Sequence, residues 1–253
     1  MSTEPTREAT SWATLMRVGA MAIVLSIITL ELVVIQEIVP PLVGVGVLLI
    51  VGLVVMSRAW RTGVIMVGIL GLVYAVFMAP FVPESFAFPA STTDFVINLV
   101  SIAACLLIMV GAVAIFRAGT IDARSDTARK FGTAILAVVV LGTAFSVTAR
   151  LTREDPLGRP FDVTVTAEDT EFSPREIDAA GTLGRPLSFF IENEDLTAHT
   201  FTIDELDVDE SIPGGGSARV ELSEIPSGTY RYYCTVTGHE DMEGTLTVGE
   251  ESV

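Results

Sequence analysis

Residues 232–244 hold Cys234, His239 and Met242 within nine positions. The whole chain has two histidines and two cysteines, and one of each lies in this stretch. The second histidine, His199, lies upstream in the run from Asn193 to Phe201. Two imidazoles, one thiolate and one thioether are the ligand set of a mononuclear electron-transfer copper site. Thiolate suits Cu(I), and imidazole also suits Cu(II). A weak axial thioether completes a geometry acceptable to both states, so little has to move when the electron moves. Two His and one Cys also resemble a catalytic zinc set with an open position. The thioether argues against that choice, because Met is a poor zinc ligand. Cys234 has only Cys105 as a possible disulfide partner, and Cys105 sits in the middle of an apolar run. Metal ligation gives an otherwise unpaired thiol a role.

The spacing needs a loop between strands. Cys234 ends one strand, Gly238 lets the chain turn, and His239 and Met242 come back toward the metal. His199 closes the site from another strand, and Asn193 is placed to orient the His199 loop through backbone hydrogen bonds. The surrounding pattern has a period of two in 161–166, 187–191, 199–203, 218–222, 229–233 and 244–248. Turn signals separate these stretches at Gly181, Gly184 to Pro186, Pro213 to Gly216, Pro226 to Gly228 and Gly238. Six or seven short strands at that spacing predict a small antiparallel sandwich.

These residues resemble the cupredoxins, the blue-copper family of plastocyanin and halocyanin. The resemblance covers roughly 161–249. It rests on Phe172-Ser173-Pro174, Asn193 ahead of His199-Thr200-Phe201, Pro213-Gly214-Gly215-Gly216, and the run from Gly228 to Cys234. The gap between His239 and Met242 is shorter than in most relatives. The resemblance implies a Greek-key sandwich and one type 1 copper on His199, Cys234, His239 and Met242. It implies an electron path through His239. It also implies partners in a respiratory chain: a quinol-oxidising complex upstream, and a terminal oxidase or nitrogen-oxide reductase downstream.

Half the residues are hydrophobic, yet the net charge is −16. From Pro160 onward there are 21 Asp and Glu against 4 Arg, so the first 159 residues are about neutral. An acidic surface argues against nucleic acid as a partner. The chain has a single lysine, Lys130. An acidic, lysine-poor surface resembles that of a protein from a high-salt organism, most of all a haloarchaeon. Glu240, Asp241 and Glu243 flank the ligand loop, as solvated surface or as a docking rim for a basic partner.

The neutral part carries five apolar runs, at 15–39, 42–56, 64–82, 95–116 and 131–149. Most reach the ~20 residues needed to span a bilayer. The second is the shortest and reads as a span, with a re-entrant segment as the alternative. Arg7 and Arg17 flank the start of the first run, Arg58 and Arg61 lie between the second and third, and Arg117, Arg124, Arg129 and Lys130 lie between the fourth and fifth. The other two connections carry no Lys or Arg. The alternation predicts a cytoplasmic N-terminus, five spans and an extracellular C-terminus. No run contains a His, so a haem held by membrane histidines is excluded. Glu31 is predicted to reach water near the outer end of the first span, with an intramembrane role as the alternative. Cys105 reads as a small packing residue.

The expected architecture is an all-α transmembrane bundle (1–149), a linker (150–159) and an all-β copper domain (160–253). Four protein ligands leave no place for substrate, so the expected function is a membrane-anchored electron carrier and not an enzyme. The competing class is a copper acquisition or tolerance module, or a degenerate cupredoxin with a docking role.

Overall fold

The structure is a computed structural model and describes residues 10–249 apart from Glu37, Ala123, Phe161, 180–184 and Glu224. Arg7, the strand start at Phe161 and the turn glycines Gly181 and Gly184 lie outside the described residues. The helices in chain order are α1 (Trp12–Thr29, continued by a π turn at Leu30–Val34), α2 (Pro40–Arg58), α3 (Trp60–Met78), α4 (Val82–Ala87), α5 (Thr92–Ala118) and α6 (Asp126–Thr152). Each apolar run is helical over most of its length; in the first the helix ends at Val34, short of residue 39. Among the described residues, five segments are long and apolar enough to cross a membrane: Trp12–Val34, Pro40–Arg58, Trp60–Ala87, Thr92–Ala118 and Asp126–Thr152. The chain divides into two compact units, Met1–Val82 with Val96–Ala144, and Pro83–Phe95 with Phe145–Val253.

In the first unit two short strands, β1 (Thr10–Ser11) and β2 (Arg124–Ser125), pair ahead of α1 and α6. Ser11 Oγ accepts the Ala13 N–H at 3.1 Å, which caps α1. The helix therefore begins at Trp12, three residues ahead of the apolar run. A single residue, Ala59, joins α2 to α3. A Cβ on Gly63 would lie 2.2 Å from the Met56 Cα, so the tight helical hairpin requires glycine there. Met16, Ile23, Leu49, Met56, Tyr74 and Ile108 are fully buried between the helices. Cys105 Sγ is buried 3.6 Å from the Gly71 carbonyl oxygen, in keeping with a packing role. Glu31 departs from expectation. It is only 7% exposed, and its Oε1 accepts the Val39 N–H at 3.3 Å. The chain breaks before Pro40-Pro41, which leaves the Val39 N–H in need of an acceptor.

The second unit is a two-sheet sandwich. Its strands are β3 (Val163–Glu168), β4 (Glu171–Ser173), β5 (Glu176–Asp178), β6 (Leu187–Asn193), β7 (His199–Ile203), β8 (Val208–Ile212), β9 (Ser217–Leu222), β10 (Gly228–Tyr233) and β11 (Glu243–Val248). One sheet has the order β5-β11-β10-β7-β8, the other β4-β3-β6-β9. The sandwich is mixed rather than wholly antiparallel, because β3 pairs with β6 and β5 with β11 in parallel. Three-residue β4 and β5 lie on either side of Pro174, which has no N–H to extend a ladder, and the chain passes there from one sheet to the other. Strand β8 has no alternation to betray it. Asp209 and Glu210 fill its middle, and only Val208 and Ile212 are buried.

The core between the sheets is aromatic. Phe172, Phe201 and Tyr232 pack with ring centroids 5.2–5.9 Å apart, and Phe189 packs against Phe201 at 5.5 Å with the rings tilted by 40°. All five residues of β7 are buried, because β10 and β8 flank it in the sheet. His199 is the first of them, so its ring is fixed by an interior strand of the sheet, between β10 and β8.

Candidate metal centre

Cys234 follows the last residue of β10, and the loop to β11 carries His239 and Met242. The loop is wound tightly by its own backbone. His239 N–H donates to the Val236 carbonyl at 3.0 Å, and Met242 N–H to the His239 carbonyl at 2.9 Å. Cys234 N–H donates to the Met242 carbonyl at 2.9 Å, which closes the loop on itself. Gly238 makes the turn with φ of 92°, a conformation that favours glycine.

The loop brings His239 against His199. Their Nδ1 atoms lie 3.1 Å apart, and Cys234 Sγ is 3.8 Å from His199 Nδ1 and 3.7 Å from His239 Nδ1. The three ligand atoms all fall within 4.8 Å of one another. Two bonds of about 2.0–2.3 Å bridge gaps of this size, so one first-row metal ion fits among them. His199 is fully buried and Cys234 nearly so, whereas His239 is half-buried. Met242 is 1% exposed in the same core cluster. Its backbone is bonded to both Cys234 and His239.

The His199 tautomer is fixed from behind. Its Nε2 lies 2.8 Å from Asp195 Oδ2, and a carboxylate can only accept. Nε2 therefore carries the proton and Nδ1 turns its lone pair toward Cys234 and His239. Asp195 in turn accepts the N–H groups of Asp169 and Thr170 at 3.0 and 3.2 Å. Burial raises its carboxyl, but His199 and these amides outweigh that and hold it below the usual range. Burial lowers the His199 imidazole, while Asp195 and Cys234 raise it further, for a net upward shift.

Asn193, 2% exposed, ties the loop ahead of His199 to its neighbours. Its Nδ2 donates to the carbonyls of Thr197, Ile212 and Pro213 at 2.8, 3.1 and 3.2 Å, and its Oδ1 accepts the Asp195 N–H at 2.9 Å. One side chain thus holds the loop that carries Asp195 and leads into His199. Glu240, Asp241 and Glu243 are exposed, with Glu240 accepting the Gly238 N–H at 3.1 Å and Glu243 paired with Arg231 at 2.6 Å.

The thiol is tuned toward metal binding. Burial alone would raise Cys234, but His199, His239 and the Thr200 N–H, 3.4 Å from Sγ, lower it from 9.0 to about 6. A depressed folded-state value means that the thiolate stabilises the copper-free fold above the ordinary thiol range. That contribution is lost as pH falls through about 6. Thiolate absorbance in the copper-free protein is expected to titrate with that midpoint, and metal uptake to weaken below it. A midpoint near 9.0 would contradict the geometry described for the two imidazoles.

Asp195, Thr200, Glu84 and Asp94 are the site's contributors that the sequence reading missed. A short polar residue four positions before His199 was the available signal for Asp195. Glu84 accepts from Thr237, and Asp94 from Ala198, at sequence separations of 153 and 104, so no local pattern marks them.

Residues 134–248 match the cupredoxin-like domain family. No curated protein matches the chain. Among solved structures, auracyanin A, a blue copper protein from the green thermophilic photosynthetic bacterium Chloroflexus aurantiacus, is similar at 17% identity. That likeness covers 34% of this chain and 97% of auracyanin A, with a TM-score of 0.31. Amicyanin from Paracoccus versutus is 18% identical over 38% of this chain and 93% of its own, with a TM-score of 0.30. A chain of a heme-copper terminal oxidase dimer is 20% identical over 48% of this chain and 99% of its own, with a TM-score of 0.31. At such values the likenesses carry no function across. The C-terminal part of this chain matches a cupredoxin-like domain over residues 134–248, which take in the end of α6 and both β-sheets, and it holds a His-Cys-His group at one end of strand β7.

Proposed function

We propose that the chain is a membrane-anchored carrier of single electrons, with one type 1 copper on His199, Cys234, His239 and Met242. The observation that carries this reading is the convergence of His199 Nδ1, His239 Nδ1 and Cys234 Sγ within a cupredoxin-like domain. Copper held there supplies the one-electron couple. The buried His199 and Cys234 keep water from the centre, and the half-buried His239 offers an edge toward a redox partner. Asp195 holds the His199 ring in the tautomer that presents Nδ1. With four positions filled by protein, substrate has no ligand position, so the reading is transfer and not catalysis. Respiratory complexes, a quinol-oxidising complex and a terminal oxidase or nitrogen-oxide reductase, are the proposed partners, and the lipid bilayer the proposed setting. The acidic, lysine-poor composition fits a high-salt environment. Reversible voltammetry with fast self-exchange supports transfer, and ready loss of copper to a chelator would instead favour delivery.

Met242 is the proposed weak axial ligand. Met242→Leu is expected to keep copper and colour and to raise the potential, because a donor that favours Cu(II) is lost and the pocket is drier. Met242→Gln is expected to lower the potential, since a harder oxygen favours the oxidised metal. Equal potentials across the pair would remove Met242 from the ligand set, and the leucine swap would then cost under about 1.5 kcal/mol of stability.

For orientation, we propose a cytoplasmic N-terminus and an extracellular copper domain, from the Arg distribution. An impermeant protease applied to intact cells is expected to cut after Pro160 and to spare the loop from Arg117 to Lys130. Cleavage in that loop from outside would overturn the five-span order.

A further inference from the structure

The segment Pro83–Phe95 joins the third and fourth apolar helices, yet its contacts place it in the same compact unit as the sandwich. It is ordered by its own bonds. Phe88 N–H donates to Glu84 O at 3.1 Å, Ser91 N–H to Phe88 O at 2.9 Å, and Phe95 N–H to Ser91 O at 3.0 Å. The Phe86 and Phe95 rings pack at 4.9 Å. Ser146 Oγ ties the segment to the end of α6 by donating to the Pro89 carbonyl at 2.7 Å.

Two carboxylates of this segment reach the loop that carries His239 and the loop that leads into His199. Glu84 accepts the Thr237 N–H at 3.0 and 3.2 Å through its two oxygens, and the Thr237 hydroxyl at 2.7 Å. Thr237 lies two residues before His239. Asp94 Oδ2 accepts the Ala198 N–H at 2.7 Å and the Ser91 hydroxyl at 2.7 Å. Ala198 immediately precedes His199. A loop N–H that is not given to water must find an acceptor in the protein. Here both acceptors are carboxylates from one remote segment, and bonds to charged acceptors are the strong kind.

We propose that Pro83–Phe95 is a built-in clamp on the metal centre, with Glu84 and Asp94 as positioning residues for the His239 and His199 loops. The clamp holds the two imidazoles in place before metal arrives, and it gives the connection between two apolar helices a role beyond joining them. It rests on the copper reading only for its purpose; the clamp itself is a property of the copper-free fold.

The test uses the full chain in detergent or nanodiscs. Hydrogen exchange is measured on the copper-free protein, and copper release to a chelator on the loaded protein. Glu84→Ala is expected to speed exchange at the Thr237 amide by about tenfold or more, and Asp94→Ala to do the same at Ala198, with the β3 and β6 amides unmoved. Glu84→Gln, whose amide oxygen still accepts, is expected to retain most of the protection. Thr237→Val, which removes the hydroxyl donor from the other side, is expected to act in the same direction as Glu84→Ala and stands in for it if that variant does not fold. Copper release is expected to quicken in both alanine variants. Unchanged exchange at Thr237 and Ala198 would overturn the clamp even if copper binds. Faster exchange in a chain that takes up no copper would uphold the clamp and refute the copper reading.

Discussion

Cys234→Ser is expected to abolish the intense visible absorption of the copper-loaded chain while leaving the sandwich folded. The band requires a thiolate bonded to Cu(II), and a serine hydroxyl is not ionised at neutral pH. The substitution is nearly isosteric at a position only 4% exposed, and the Thr200 N–H that now faces Sγ can face Oγ instead. The fold should lose only about 1–2 kcal/mol for burying a hydroxyl with a partner. Copper affinity should fall far more, by over about 100-fold, since even partners behind the ligands are worth 10–100-fold. Spectroscopy and denaturant unfolding of the same sample separate the two effects. A variant that keeps the band would remove Cys234 from the centre.

The second large effect is expected at Asn193. Asn193→Asp replaces a buried amide that donates to three carbonyls with a group that, ionised, can only accept. Thr197, Ile212 and Pro213 would face a negative charge in a site that is 2% exposed. Unsatisfied buried groups cost about 1–3 kcal/mol each, so a loss of at least 3–4 kcal/mol is expected. The damage should reach the metal, because Asn193 Oδ1 also holds the Asp195 N–H and Asp195 holds His199. Asn193→Ala should cost less than the aspartate, because it leaves the carbonyls unpaired without adding charge. Chemical denaturation ranks the three proteins. An aspartate variant as stable as the parent would show that the loop does not depend on this side chain.

The parts of the chain that the sequence displayed are those with strong local periodicity. The five long helices coincide with long apolar runs. Strands β3, β6, β7, β9, β10 and β11 alternate or carry β-branched and aromatic residues. The His-Cys-His group was legible because the chain has so few histidines and cysteines that coincidence is a poor account of their spacing. What stayed hidden depends on contacts between distant residues. Strand β8 is acidic in its middle, and β4 and β5 are three residues each, too short for a period. The parallel pairings arise because the chain changes sheets at Pro174, which no alternation records. Asp195 lies among other acids in a loop. Glu84 and Asp94 lie at the ends of apolar helices, where a carboxylate reads as a residue returning to water. Glu31 misled for the same reason, since a break in a helix can supply a buried carboxylate with a backbone N–H.

Titration of the full-length chain with Cu(II), with visible and EPR spectra recorded at each addition, shows whether His199, Cys234 and His239 hold copper. One copper per chain is expected, with an intense thiolate-to-copper band that saturates at that ratio. A colourless Cu(II) complex, formed while Cys234 remains a free reduced thiol, would contradict the copper reading.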